Sequence, residues 1–385
     1  MKRFSTFLKN AALVAVSCLV ALVFLEGIVR LIEPREVMRY FFMQPDSLLN
    51  HSFIPGASGH YKTTEFDVIY RINSHGLRDR EISIRKPAGT RRLLMLGDSF
   101  TEGDGVEYEE SFSYRLQQLL DSTALPERWE VINAGVGSYS PLLEYLYLTH
   151  RGLALQPDMV VLNLDLSDIF DDLSYSARTR YDERGVPVAA TPETEPRPAG
   201  RLAASLVDVK DFFKDHTRLY NFIRLRIDRY LEGARHTVDM SGNIHYDKYA
   251  MLRPQYHADF DRDCALTYRH LLLIRDTLQA RGIDFRINVY PYGLQVSPRE
   301  WTAGRQFWGF TPDTLYGTEP QATLTRFCRN SGIPVTNLCE AFRTYATKAG
   351  PLYHDYNGHW LPAGHMLVAR ELYAAILPRL RKTEY

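Results

Sequence analysis

The chain has 385 residues, enough for one large domain or two small ones with a substantial core. Its 46 Lys and Arg balance 46 Asp and Glu, so the formal charge is zero. That balance excludes the basic excess by which most nucleic-acid binders attract their partner. The 12 His and 24 Tyr are scattered without a repeat.

In chain order, the first feature is apolar. Lys2, Arg3 and Lys9 precede a run from Ala11 to Leu25 that continues through Ile28, Val29 and Ile32. About 20 apolar residues span a bilayer core, so residues 1–34 read as a membrane anchor. Basic residues ahead of the span predict a cytoplasmic N-terminus and a single pass, with the remainder periplasmic or extracellular. Glu26 and Arg30 are four apart and share a helix face. A cleaved signal peptide is the rival, but no small-x-small site closes the run. Cys18 lies mid-run, which disfavours a lipoprotein site. Of the four Cys, Cys328 and Cys339 are the best disulfide candidates, although buried thiols fit three scattered positions better.

Residues 35–90 read as a juxtamembrane and lead-in segment, Pro- and Gly-rich as far as residue 60. From residue 91 the pattern alternates. Strands are expected at Arg92–Leu96, Trp129–Ile132, Met159–Leu164, Phe285–Tyr290 and Pro334–Leu338. Helices are expected at Glu109–Ser122, Pro141–Arg151, His257–Ala280, Gln321–Asn330 and Ala363–Leu377. Continuous apolar strands between amphipathic helices predict a mostly parallel sheet covered on both faces, a three-layer α/β/α sandwich of about five strands. Residues 183–200, with Pro187, Pro192, Pro196 and Pro198, read as a loop. Leu202, Leu206, Val209, Phe213, Leu219, Ile223, Ile227 and Leu231 then follow helical spacing. A helical insertion is therefore placed at about 176–255. Its Arg218, Arg224, Arg226 and Arg229 could meet lipid headgroups, but a solvated face is the preferred reading.

Ligands of such sheets bind beyond the carboxyl ends of the strands. On that rim lie Ser99, the glycine turn at Gly135, Ser167 with Asp168, and His359. A serine needs a base within hydrogen-bond reach to act as a nucleophile, and His359, late in the chain before the last helix, is the candidate. Backbone N–H groups of Ser99 and Gly135 are candidate donors to an oxyanion. Asp98 reads as structural. Thr101 stands where a Gly-x-Ser-x-Gly elbow needs glycine, which disfavours that elbow. Residues 97–105 lack the lysine and glycine spacing of a phosphate loop. His354, Asp355, His359 and His365 fit no standard zinc spacing. Tyr290, Tyr292, Trp301, Phe307 and Trp308 cluster after the fourth strand and suit either a sugar cleft or core packing.

Gly97–Gly103 (GDSFTEG), Ile132–Ser140 (INAGVGSYS), Pro157–Asp168 (PDMVVLNLDLSD) and Asn357–His365 (NGHWLPAGH) resemble, in order, the four sequence blocks of the SGNH (GDSL-type) hydrolases. RINSHGLRDREI, beginning at Arg71, and HYDKYAMLRPQY, beginning at His245, resemble segments of their membrane-anchored bacterial members. The resemblance implies a flavodoxin-like fold and ester hydrolysis or acyl transfer, with no metal or cofactor. It implies Ser99 as nucleophile and oxyanion donor, Gly135 as second donor and His359 as base. It further implies an acylated small molecule or polysaccharide as substrate, without nucleic acid.

Two positions depart from the family pattern. Ser167 stands where the third block supplies an Asn side chain to the oxyanion hole; shifted by one, Asp168 does, and an ionised Asp has no proton to donate. Asn163 is a spare amide within the strand. The family's acid lies two or three residues before the base, and those positions here hold Asn357 and Tyr356. Asn357 could orient His359 as an amide, or Asp355, one further back, could replace the acid if the loop bends. A triad that loses its carboxylate can slow by on the order of 10⁴. A binder that keeps this fold without turnover, or a scaffold subunit of an export complex, is the alternative function.

Overall fold

The computed structural model describes residues 2–32, 42–63, 65–192, 249–254 and 260–381, with isolated positions between 209 and 258. They fall into two compact units, one of segments 1–36 and 194–241, the other of 37–193 and 242–385.

In the first unit, Lys2–Ile32 is one helix of 31 residues (α1). Its apolar side chains from Leu13 to Leu25 stand largely exposed. Arg30 pairs with Glu26 at 2.7 Å, as the spacing of four predicts. Glu26 also accepts the N–H groups of Arg218 and Leu219 at 3.0 and 2.7 Å. Most of the expected insertion helix, including Arg224, Arg226 and Arg229, lies outside the described residues.

The second unit holds the sheet. Its strands are β1 (Thr90–Leu96), β2 (Arg128–Asn133), β3 (Met159–Leu164), β4 (Asp284–Val289) and β5 (Val335–Asn337). They pair in parallel in the order β5-β4-β3-β1-β2. This is the flavodoxin-like order, whose direction of winding reverses between β1 and β3. Every residue of β3 is buried, as expected of a strand covered on both faces. The covering helices are α2 (Phe112–Asp121), α3 (Pro141–His150), α4 (Ser167–Ser176), α5 (Ala265–Gln279), α6 (Glu319–Asn330), α7 (Cys339–Ala346) and α8 (Pro362–Leu380). Helices α2, α7 and α8 pack together, as do α3, α4 and α5. Cys264, Cys328 and Cys339 are buried free thiols, the reading preferred for three scattered positions, and the alternative pair Cys328–Cys339 is not bonded.

Three expectations need correction. The lead-in is not a connection. Met43–Asp46 pairs with Asn50–Phe53, and Ser58–Lys62 with Asp67–Arg71, in antiparallel hairpins. These strands are short and interrupted by Pro and Gly, so no alternation of length announces them. Residues 183–200 are likewise not all loop, because Pro187–Ala190 pairs with Thr179–Tyr181. Proline is tolerated there as the first residue of a strand. The described start of the insertion is therefore a hairpin rather than a helix. Finally, the helix expected over His257–Ala280 breaks at Cys264 into Phe260–Asp263 and α5.

The lead-in reaches deep into this unit. Arg78 is fully buried, and its guanidinium donates to the carbonyls of Glu102, Gly103 and Val106 while lying over the Tyr70 ring at 3.8 Å. Asp79 accepts the Asn133 N–H at 2.7 Å and the Tyr108 hydroxyl. Burial pushes the Asp79 carboxyl above its usual range, partly offset by the Arg80 charge. Glu102, also fully buried, accepts from the Tyr70 hydroxyl at 2.9 Å and the Gly137 N–H at 2.7 Å. The turns after β1 and β2 are thus held by one polar network rooted in the lead-in. Arg78→Ala is expected to lower unfolding free energy by about 3–5 kcal/mol, since three buried carbonyls lose their donor. Arg78→Lys should recover little, because a point ammonium does not span three acceptors. Chemical denaturation of both variants checks this; a lysine variant as stable as the parent would contradict the clamp.

Candidate active site

β1 ends at Leu96, and Ser99 opens the four-residue helix Ser99–Glu102. Asp98 caps that helix by accepting the Phe100 N–H at 2.9 Å. Asp98 also accepts the Tyr290 hydroxyl at 3.2 Å, so it supports the turn from two sides. Ser99 therefore sits in a first helical turn, where backbone N–H groups have no intrahelical partner.

His359 arrives from the loop between α7 and α8. Its Nε2 lies 2.7 Å from Ser99 Oγ across 260 positions of sequence. Its Nδ1 lies 2.5 Å from Asn357 Oδ1, which also accepts the His359 backbone N–H at 3.1 Å. An amide oxygen on Nδ1 requires the proton there and leaves Nε2 free to accept from Ser99. The Phe100 ring packs on the imidazole at 4.7 Å between centroids. Glu65, from the turn of the second hairpin, accepts the N–H groups of Tyr356 and Asn357 at 2.8 and 2.7 Å. The loop that carries the base is thereby tied to the lead-in.

Asp355 is not part of this line. Its Oδ1 accepts from the Thr302 N–H and hydroxyl at 2.7 and 2.5 Å and from the Ala303 N–H at 3.3 Å, capping the helix Thr302–Phe307. His365 is structural: it accepts the Phe112 N–H on Nδ1 at 3.3 Å, and complete burial holds it well below the ordinary imidazole range.

A cavity of about 90 Å³ opens beside Ser99 and His359. Ser138, Ser167, Asp171, Tyr249 and Tyr292 complete most of its wall. Ser167 reaches it, but donates its hydroxyl proton to Asp165 Oδ1 at 2.7 Å. Asp168 lies behind that wall and accepts the Asp165 N–H at 2.9 Å. Burial, then the charges of Asp165, Glu144 and Asp98, push the Asp168 carboxyl well above its usual range, which favours the neutral acid. Asn163 donates to the Leu96 carbonyl at 2.9 Å inside the sheet, away from the wall.

Gly135 is not brought to the cavity. Its N–H donates to Asn133 Oδ1 at 3.0 Å. A Cβ there would lie 2.3 Å from the Glu102 nitrogen, so glycine serves close approach of two backbones. The wall residue from this turn is Ser138, exposed and left-handed with φ 62°. The sequence signalled a turn here but not which residue faces outward, because a serine at positive φ breaks the usual preference for glycine. Tyr249 was also unmarked, although it lies inside a segment singled out for its resemblance. Of the aromatics after β4, Tyr292 faces the cavity and donates to Asp165 Oδ2 at 2.6 Å. Trp301 is buried and donates to the Tyr356 carbonyl at 3.0 Å.

No family model matches the sequence, and no curated protein does. Among solved structures, the chain is similar to an acetyl xylan esterase at 14% identity and TM-score 0.39, covering 74% of this chain and 99% of that one. A lipase/acylhydrolase from Enterococcus faecalis aligns at 14% identity and TM-score 0.40, covering 77% and 100%. An acetylxylan esterase from Geobacillus stearothermophilus, as a catalytic mutant, aligns at 12% identity and TM-score 0.40, covering 76% and 97%.

The geometry separates two residues close in sequence. Asp355→Ala is expected to cost about 1 kcal/mol through loss of a helix cap, with turnover of an ester substrate within about twofold of the parent. Asn357→Ala should lower turnover by on the order of 10², the lower end of what a misoriented base forfeits, with little change in stability. Melting curves and initial rates on the same preparations check the pair; equal rate losses would return Asp355 to the site.

Proposed function

We propose that the chain is an SGNH (GDSL-type) serine esterase or O-acyltransferase acting on short acyl esters through an acyl-Ser99 intermediate. The observation that carries this reading is the 2.7 Å contact of Ser99 Oγ with His359 Nε2, with Nδ1 held on Asn357. In the forward step Ser99 Oγ attacks the ester carbonyl as its proton passes to Nε2. The same proton is then delivered to the departing alkoxide oxygen. The carbonyl oxygen gains negative charge against the Ser99 and Ser138 backbone N–H groups, and rotation of the Ser167 O–H away from Asp165 adds a third donor. A second hydroxyl, from water or a sugar, then takes the acyl group as the base acts again.

The cavity of about 90 Å³ supports a short acyl group, acetyl first. Tyr249 and Tyr292 beside polar Ser138, Ser167 and Asp171 suit a sugar-borne ester, in keeping with an envelope polysaccharide as substrate. A fold that has kept binding without turnover is the second reading, favoured by Asn357 and Ser167 at the two departing positions. We further infer that α1 anchors the chain, with the N-terminus cytoplasmic and the α/β unit on the outer side. The span Ala12–Leu31 is 20 residues with mean hydropathy 2.6, and Lys2, Arg3 and Lys9 precede it.

Full-length protein in detergent should hydrolyse p-nitrophenyl acetate, and Ser99→Ala should lower the rate by about 10³-fold or more. A serine-reactive phosphonate should label Ser99 in the parent. Equal rates for the two proteins, with no labelling, would leave the binder. For the anchor, expression in a bacterial host should give a chain that stays with membranes after carbonate washing and retains residues 1–34 by intact mass. A soluble mature chain lacking them would make the segment a signal sequence.

A further inference from the structure

We propose that the carboxylate serving His359 is Asp104, which stabilises the imidazolium while Asn357 only orients the ring. This rests on the reading of Ser99 and His359 as nucleophile and base. The amide oxygen of Asn357 fixes the tautomer, but it brings no charge to offset the one that His359 acquires when it takes the Ser99 proton. Asp104 Oδ2 lies 3.9 Å from His359 Nδ1, and the residue is 2% exposed. An opposite charge at that separation, shielded from water, favours the protonated ring.

The turn is built to deliver this group. The Asp104 N–H donates to the Ser99 carbonyl at 3.0 Å, so acid and nucleophile ride on one turn. Gly103 and Gly105 flank it at φ 87° and 85°, in the left-handed region that reverses the chain on either side. A Cβ on Gly105 would lie 2.9 Å from His354 Nε2, so the turn packs directly on the loop that carries His359. Arg78 grips the Gly103 and Val106 carbonyls that bracket Asp104.

Other titratable groups lie on the elements around the same imidazole, with Asp171, Tyr249 and Tyr292 across the cavity. Asp98, on the Ser99 turn, accepts the Phe100 N–H and the Tyr290 hydroxyl. Glu65, from the hairpin, accepts two N–H groups of the His359 loop. His354 shares that loop and burial depresses its protonation; His365, from α8, is held neutral by complete burial. Asp355 is turned to Thr302. Among the described residues, Asp104 is the carboxylate at ion-pair distance from Nδ1.

The test relocates the charge. Asp104→Asn, Asn357→Asp and the double variant are compared in the full-length chain, in detergent, with p-nitrophenyl acetate across pH. A neighbouring carboxylate raises the midpoint at which His359 loses its proton, so its removal moves the acid limb to lower pH. Asp104→Asn is expected to shift that limb down by about one unit and lower kcat/KM about 10–100-fold at neutral pH. The double variant should recover most of both, because Asp at 357 returns a charge to Nδ1. Asn357→Asp alone should gain less than threefold. A purely structural Asp104 would move stability and leave the midpoint in place.

The same midpoint is read without turnover, by diethyl pyrocarbonate modification of His359 in a Ser99→Ala background, mapped by peptide mass spectrometry. This arm still reports on Asp104 if the chain proves not to hydrolyse esters. An unchanged midpoint in Asp104→Asn overturns the proposal, as does a double variant whose midpoint stays at that of Asp104→Asn. Should Asp104→Asn not fold, Asp104→Ser takes its place in both arms with the same expected downward shift, and an unchanged midpoint there overturns the proposal.

Discussion

A polypeptide that leaves a buried strand and doubles back at once must satisfy its carbonyls without the help of a ladder. After β1, backbone N–H groups take the carbonyls of Gly97, Asp98 and Ser99, and one side chain, Arg78, takes those of Glu102, Gly103 and Val106. A guanidinium has five donors in a fixed plane, and here three carbonyls of the turn converge on it. Its planar face is covered by the Tyr70 ring. This arrangement holds the far end of the turn that opens at Ser99.

The sheet order does the coarser work. With β1 between β3 and β2, chains leave β1 and β3 toward opposite faces, and a crevice is left where they part. Ser99 follows one of these strands and Ser167 the other. The third contributor, the loop before α8, crosses the top of the crevice and is fixed at Asn357 and Tyr356 by Glu65. Three elements distant in sequence are thereby referred to a common frame. A hydrogen bond of 2.7 Å between Ser99 and His359 needs such rigidity.

How much of this was legible follows from the range of each interaction. Strand β3 is a nearly continuous apolar run and β1 ends in one, β2 and β4 carry polar residues between apolar ones, and the placement of all four on the sequence is right to within two residues. Burial on both faces leaves few alternatives. The hairpins between residues 43 and 71 are half-exposed and held by turns, so their composition reads as linker. Ser99, His359 and Asn357 were legible because their motif context is local. Gly135 was misplaced because a glycine needed for backbone contact looks like a glycine needed for ligand approach; only the packing against Glu102 separates them. Asp355 was misread for a similar reason: two residues before Asn357, an acid can turn to the imidazole or to the next helix, and it turned to Thr302. Asp104 left no signal at all, since its nearness to His359 depends on the fold of two separate loops.

The Arg78 arrangement has a practical corollary for anyone dissecting this molecule. An alignment-guided boundary would begin a minimal domain at Thr90, where the repeating strand-helix pattern starts. Such a fragment would discard Tyr70, Arg78 and Asp79 together with Glu65. It would expose a strip of uncapped peptide oxygens under the nucleophile and free the loop above it. Inactivity in that fragment would then say nothing about chemistry. A smaller piece that keeps these contacts has to include the second hairpin.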